Sequence, residues 1–274
     1  MYNNKLLSIM LELSKKGKSL IVALIIMLSL FSVDSYAQTG DNSGKEKTAI
    51  VTGSNRGQGL GWVKHFLNEG YVVVATARKP EKATELNELK KKYKKQLFIE
   101  KLDVTSEEDH AALGKMLKKN KLHIDIAISN AGVTVEEDFG SWTAKSWKLN
   151  YEVNTMGVAF FAQTISPYLN DGAQLIHLSS GHGSIGAHGK PGPIDAYGVS
   201  KAGVNMLTKK LAKRWEDRKI IVISVTPGGV KTDMNPNGKL SVAEAVAIMS
   251  ETFSKLTMEN SGTFITNKGK KMPW

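Results

Sequence analysis

The chain has 274 residues, 41% hydrophobic and 23% charged, with a formal net charge of +11 and no cysteine. That is enough for one large α/β domain or two small ones, in a composition ordinary for a soluble globular protein. The absence of thiols excludes disulfides, thiolate catalysis and cysteine-held metal, and leaves the compartment open. Lysines cluster at Lys90–Lys95, Lys115–Lys121 and Lys209–Lys219. No series of aromatic residues alternates with them to stack on bases, so they read as solvated helix faces rather than a nucleic-acid site.

Residues 1–37 have the layout of a secretory signal peptide. Lys15, Lys16 and Lys18 precede an apolar run from Leu20 to Phe31, followed by Ser35-Tyr36-Ala37 and Gln38. The run is shorter than the roughly 20 residues a spanning helix needs. The expectation is an exported, periplasmic protein; an uncleaved membrane anchor, or a cytoplasmic protein started downstream at Met27, are the alternatives. Residues 38–46 are polar and glycine-containing, a flexible lead-in.

Thr48–Val51 reads as a short buried strand. It ends in Thr52-Gly53-Ser54-Asn55-Arg56-Gly57-Gln58-Gly59, and a helix follows to Glu69 with Leu60, Val63, Phe66 and Leu67 on one side. Strand, glycine-rich turn and helix form the geometry that seats a pyrophosphate on a helix N-terminus. Gly53 permits the tight turn, Gly57 lets backbone approach phosphate, and Gly59 lets the helix approach the strand. The second strand, Tyr71–Ala75, runs into Thr76-Ala77-Arg78, and the first acidic residue beyond it is Glu81. A carboxylate there would suit a ribose 2′-hydroxyl, whereas Arg78, with Arg56 from the glycine turn, suits a 2′-phosphate: NADP(H) over NAD(H).

Strands and helices then alternate. Glu81–Tyr93 is a charged helix. Leu97–Leu102 is a strand ending in Asp103-Val104, and Ser106–Lys118 a capped helix. Ile124–Ser129 is a strand running into Asn130-Ala131-Gly132. Trp142–Leu169 reads as one long helix containing Asn154, and Gln174–Leu178 as a strand running into Ser179-Ser180. Ala196–Trp215 is a helix, and Ile220–Val225 a strand leading to Thr226-Pro227-Gly228-Gly229-Val230. Ser241–Lys255 is a helix with a Ser241–Glu244 capping box, and Thr263–Thr266 a last strand. Strict alternation implies a single-domain α/β fold over 47–274, a doubly wound, Rossmann-like parallel sheet, with ligands beyond the carboxyl ends of the strands.

Tyr197 and Lys201 lie one turn apart on one helix face. A phenol titrates at about 10. A neighbouring ammonium favours the phenolate, so the pair is an acid/base candidate. His182 and His188 flank the loop before it, and no further ligands at metal spacing accompany them, so no metal site is expected.

With these motifs in this order, Lys47 to Trp274 resembles the short-chain dehydrogenase/reductase family. The resemblance makes Thr52-Gly53-x3-Gly57-x-Gly59 the cofactor loop, including Ser54, Asn55 and Arg56, and Asp103-Val104 the adenine contact. It makes Asn130-Ala131-Gly132 the motif after the fourth strand, and Asn154, Ser180, Tyr197 and Lys201 the catalytic four. Pro227-Gly228-x-Val230-x-Thr232 resembles the loop whose Thr holds the nicotinamide carboxamide. The ending Gly269-Lys270-Lys271-Met272-Pro273-Trp274 is similar to C-factor-type, carbonyl-reductase-like members. The implied activity is hydride transfer between NADP(H) and a small carbonyl or secondary-alcohol substrate, in a homo-oligomer, dimer or tetramer. Three departures stand out: Gln58 in place of Ile or Leu, a leader, and a serine-to-tyrosine gap lengthened by an insertion within His188–Asp195. The long gap leaves Ser184 as the alternative to Ser180. An exported signalling or dinucleotide-binding protein with little turnover is the competing function, and a sugar epimerase or dehydratase a weaker third.

Overall fold

The computed structural model describes residues 46–187 and 192–274. The leader, the lead-in up to residue 45, and His188 lie outside the described residues.

Apolar runs with no polar alternation are what a parallel strand covered on both faces requires. β1 (Thr48–Val51) and β2 (Val72–Ala77) have that character and are wholly buried, and β4 (Ile124–Ser129) is buried at every position but Asp125. With β3 (Leu97–Lys101), β5 (Leu169–Leu178), β6 (Ile221–Thr226) and β7 (Thr263–Thr266), they form one seven-stranded sheet in the order β3-β2-β1-β4-β5-β6-β7. Every pairing is parallel. The fold is the Rossmann-like α/β sheet the alternation implies. The chain winds outward from β1 in both directions, so the crevice beyond β1 and β4 is its switch point.

One face is covered by α1 (Gly57–Asn68), α2 (Thr84–Tyr93) and α7 (Val242–Phe253), through Leu60, Trp62, Phe66, Leu86, Met249 and Phe253. Trp62 stacks between Phe66 and Phe253, with ring centroids 5.5 and 5.3 Å away. The other face holds α3 (Glu107–Lys119), α5 (Gly157–Ile165) and α6 (Asp195–Arg214), with Leu113, Leu117, Phe161, Ile165 and Ala212 inward. The expected caps form: Ser106 accepts from the Asp109 amide, and Ser241 and Glu244 complete a capping box. The lysines of the three clusters lie mostly exposed on the surface.

Two elements differ from expectation. The long helix is α4 (Ala144–Tyr151), a π turn at Glu152–Met156, then α5 and a 3₁₀ turn. The extra residue of a π turn re-aims the helix beyond it, and it falls on Asn154. β5 also begins earlier, because Leu169 already pairs with Ile124 before a register shift.

Asn130 ties the two halves together. Its Nδ2 donates to the carbonyls of Thr52 at 2.8 Å and Gly53 at 3.0 Å, while Thr52 Oγ1 accepts from the amides of Asn130 and Ala131. Asn130→Ala removes two bonds and leaves both carbonyls short of a partner. The expected loss is about 2–3 kcal/mol, a Tm fall of roughly 5–10 °C by calorimetry.

Candidate active site

The loop after β1 turns at Gly53, with φ +65°. Gly59 passes so close beneath it that a Cβ there would lie 2.2 Å from the Gly53 carbonyl. The N-terminus of α1 is thereby brought to the carboxyl edge of the sheet. No side chain caps it, and no acidic residue lies in its first turn, so its amides and dipole face a cleft suited to an anion.

That cleft has a volume of about 880 Å³. Gly53, Asn55, Arg56 and Gly57 line it, and so do Arg78, Asp103 and Val104. So do Asn130, Tyr197, Lys201, Pro227 and Thr232. A second lobe of about 490 Å³ shares Gln58, Tyr197, Pro227 and Thr232 with it and adds Ser180, His182, Gly228 and Val230. Gln58, Thr232 and Tyr197 thus stand where the two lobes join. A cleft with a helix N-terminus and clustered cations in its lining fits the phosphates of a dinucleotide. When bound, a nicotinamide dinucleotide would supply hydride chemistry.

Tyr197, on the first turn of α6, borders both lobes. Burial raises its pKa, and a hydrogen bond with Ser180 opposes that rise. Lys201 is buried one turn on. Its Nζ donates to the Leu178 carbonyl at 2.8 Å and sits 5.6 Å from the Tyr197 ring centre. Burial brings Lys201 down to about 8. The expected depression of Tyr197 by Lys201 therefore does not occur in this arrangement. The ammonium is directed at a carbonyl, and desolvation of the phenolate dominates.

Asn154 is fully buried and lines neither lobe. Its Oδ1 accepts from the Val133 amide at 2.8 Å, and its Nδ2 donates to the Val133 carbonyl and Ser200 Oγ, each at 2.9 Å. It stitches the loop after β4 to α6. Two residues of the expected cofactor set also stay out of the cleft. Ser54 is buried, its Oγ on the Val51 carbonyl and its amide on the Thr76 carbonyl. Gly59 serves through its missing side chain. Ser180 comes two residues after β5 and lines the second lobe, whereas Ser184 is buried against the C-terminal residues.

Several lining residues carried no motif. Lys79, Lys82 and Lys101 add cations around Arg78, and Met234 borders both lobes. Only proximity to the ends of β2 and β3 could have marked these lysines. Arg56 pairs with Asp233 at 2.9 Å across the mouth. His177 lies fully buried behind Lys201, held neutral by desolvation with its pKa down to about 3. Among the described residues no group of three His, Asp or Glu could hold a metal ion.

Comparison with known proteins gives a consistent picture. Residues 47–241 match the family model for short chain dehydrogenases. An uncharacterized oxidoreductase of Schizosaccharomyces pombe is 33% identical over 254 residues, covering 83% of this chain and 98% of that protein. The NADPH-bound carbonyl reductase from chicken fatty liver has a TM-score of 0.77 at 32% identity. The carbonyl reductase Sniffer of D. melanogaster has a TM-score of 0.80 at 26% identity. Each structure match covers 84% of this chain and all of the other.

Two outcomes are expected from these environments. Gln58 Oε1 is buried without a hydrogen-bond partner. Gln58→Leu removes that amide at about constant volume and should stabilise by about 1–2 kcal/mol, a Tm rise of roughly 2–6 °C. Lys201 has a folded pKa below its ordinary value, so its burial penalty is fully present below pH 8 and relieved as pH rises from 8 towards 10.5. Lys201→Met should therefore be the more stable protein at pH 7, by on the order of 1–3 kcal/mol. In urea titrations its advantage should shrink between about pH 8 and 10.

Proposed function

Since the chain belongs to the short-chain dehydrogenase family, an oxidoreductase acting on CH–OH or C=O groups with a nicotinamide dinucleotide, we propose that it is an NADP-preferring carbonyl reductase with Tyr197 as its acid. The observation that carries this reading is Tyr197 itself. Burial keeps the phenol protonated, it is hydrogen-bonded to Ser180, and it stands where the cofactor-sized lobe meets the smaller one. A protonated phenol is the form that donates to a carbonyl oxygen as hydride arrives at carbon.

Ser180 hydrogen-bonds that oxygen and stabilises its developing charge. Lys201, down to about 8, returns a proton to Tyr197 and holds the ribose. Asn154 acts at one remove. By fixing the Val133 loop to α6 at Ser200, it sets the position of Lys201, and it helps hold a water linking that lysine to solvent. Cofactor choice rests on β2 ending at Ala77 with Arg78 next, and on Arg56, Lys79 and Lys82 around the same end of the cleft. Cations without a carboxylate at that strand end favour a 2′-phosphate. The chicken-liver carbonyl reductase, similar in fold, binds NADPH.

We further read the exposed Tyr151, Val199 and Met206, on α4 and α6, as a homo-oligomer contact. The layout of residues 1–37 supports export.

Tyr197→Phe should lower turnover of an aldehyde or diketone at least roughly 100-fold while NADPH affinity stays within about threefold; wild-type turnover in that variant would remove Tyr197 from the reaction. Arg56→Ala and Arg78→Ala should each weaken NADPH about tenfold or more, with NADH little changed, in titrations followed by energy transfer from tryptophan. Equal losses for both cofactors would place the arginines elsewhere than on a 2′-phosphate.

A further inference from the structure

The last six residues do more than end the chain. Gly269, at φ +80°, turns them back along the free edge of β7. The Met272 amide donates to the Phe264 carbonyl and the Thr266 amide to that of Lys270, each at 2.8 Å, and Lys271 forms an antiparallel bridge with Ile265. The Trp274 ring then stacks on buried Phe264 with centroids 6.2 Å apart, and Lys209 Nζ lies over the indole, 5.5 Å from its centroid.

From there the chain end reaches the turn after β5. Ser184 Oγ donates to the Pro273 carbonyl at 2.7 Å, and the Gly186 amide donates to the Trp274 carbonyl at 2.6 Å. Ser184 is only 2% exposed, and its hydroxyl also accepts from the Ala187 amide at 3.1 Å. The same turn is seated on α6 from the opposite side. Asn205 Nδ2 donates to the Gly183 carbonyl at 3.0 Å, and a Cβ on Gly183 would lie 2.7 Å from the Lys201 carbonyl carbon. Residues 180–184 are thus gripped between the helix carrying Tyr197 and Lys201 and the chain's own end. Ser180 and His182, within this stretch, line the second lobe.

We propose that Pro273 and Trp274, acting through Ser184, are positioning residues for the substrate carbonyl: they hold the 180–183 turn so that Ser180 faces Tyr197. This rests on the carbonyl-reductase reading for its kinetics but not for its geometry. It also gives Ser184 a use. Its hydroxyl is committed to the chain end, so it supplies no hydrogen bond to a substrate.

The full chain tests it with Trp274→Ala and Ser184→Ala. Amide hydrogen exchange over Gly181–Ala187 should quicken at least roughly tenfold in both variants, while sheet amides and NADPH affinity stay within about twofold. With 4-nitrobenzaldehyde and NADPH, kcat should fall about tenfold or more, with KM changed less than about threefold. In a Ser180→Ala background, Trp274→Ala should cost almost nothing further, because the clasp works only by placing that hydroxyl. Additive losses, unchanged exchange over the turn, or protection lost across the whole sheet would each overturn the clasp. If the wild-type protein does not turn over the aldehyde, the carbonyl reading fails, and exchange over the turn alone decides the proposal.

Discussion

The cleft at the carboxyl edge of the sheet depends on backbone meeting backbone. Gly59 lies against the Gly53 carbonyl with no room for a methyl group, and Asn130 binds the Thr52 and Gly53 carbonyls from the neighbouring strand. Any side chain at position 59 would lift α1 from the sheet and rotate its N-terminus away from the cleft. The packing of Trp62 against Phe66 and Phe253 then fixes the helix from its other side. The placement of the α1 N-terminus at the cleft is therefore a property of the first β-α unit and its tie to β4, and the cations at the rim are additions to it.

Beneath the reaction end the structure accepts instability. Lys201, His177, Ser179, Asn154 and Asn205 are all buried. Most of their polar atoms are matched: Lys201 on Leu178, Ser179 on Asn205, Asn154 on Val133 and Ser200. His177 Nε2 and Ser129 Oγ, neighbours across β4 and β5, have no partner. Each such group costs about 1–3 kcal/mol. Two apolar layers, one on each side of the sheet, carry that load. The buried Lys201 amine is the costly part of this arrangement: desolvation brings it down to about 8, while the half-buried Tyr197 phenol beside it is pushed up.

Legibility in the sequence depended on the kind of signal each part sends. The strands were readable as short, mainly apolar runs set between helical segments: β7 and β4 have the expected bounds. The glycine turn was readable because only glycine tolerates those contacts, and the capping box because few residue types can close it. The π turn was not readable. Glu152–Met156 is ordinary helical sequence, and its distortion arises from Asn154 bonding sideways to Val133 and Ser200, partners 21 and 46 residues away. The same limit applies to Lys201. Its distance to Tyr197 along the helix was evident, but its aim at Leu178 depends on how α6 lies on β5. The tail showed its composition and not its destination, since Ser184 and Pro273 are 89 positions apart.

The two ends of the cleft are consequently built on different terms. Behind Tyr197, Lys201, Ser179 and Asn154 are held by buried hydrogen bonds, so moving one disturbs its neighbours. At the mouth, Arg56 and Asp233 are 68% and 73% exposed, and an exposed pair of this kind contributes about 0–1 kcal/mol. Arg56 can therefore leave Asp233 for a phosphate at little cost, whereas Lys201 cannot leave Leu178 without stranding a buried charge. In the proposed reading, chemistry rests on the interior and cofactor choice on the rim. On that reading, altering one or two exposed side chains would change which dinucleotide is preferred, while Tyr197, Lys201 and the turn that carries Ser180 stay in place.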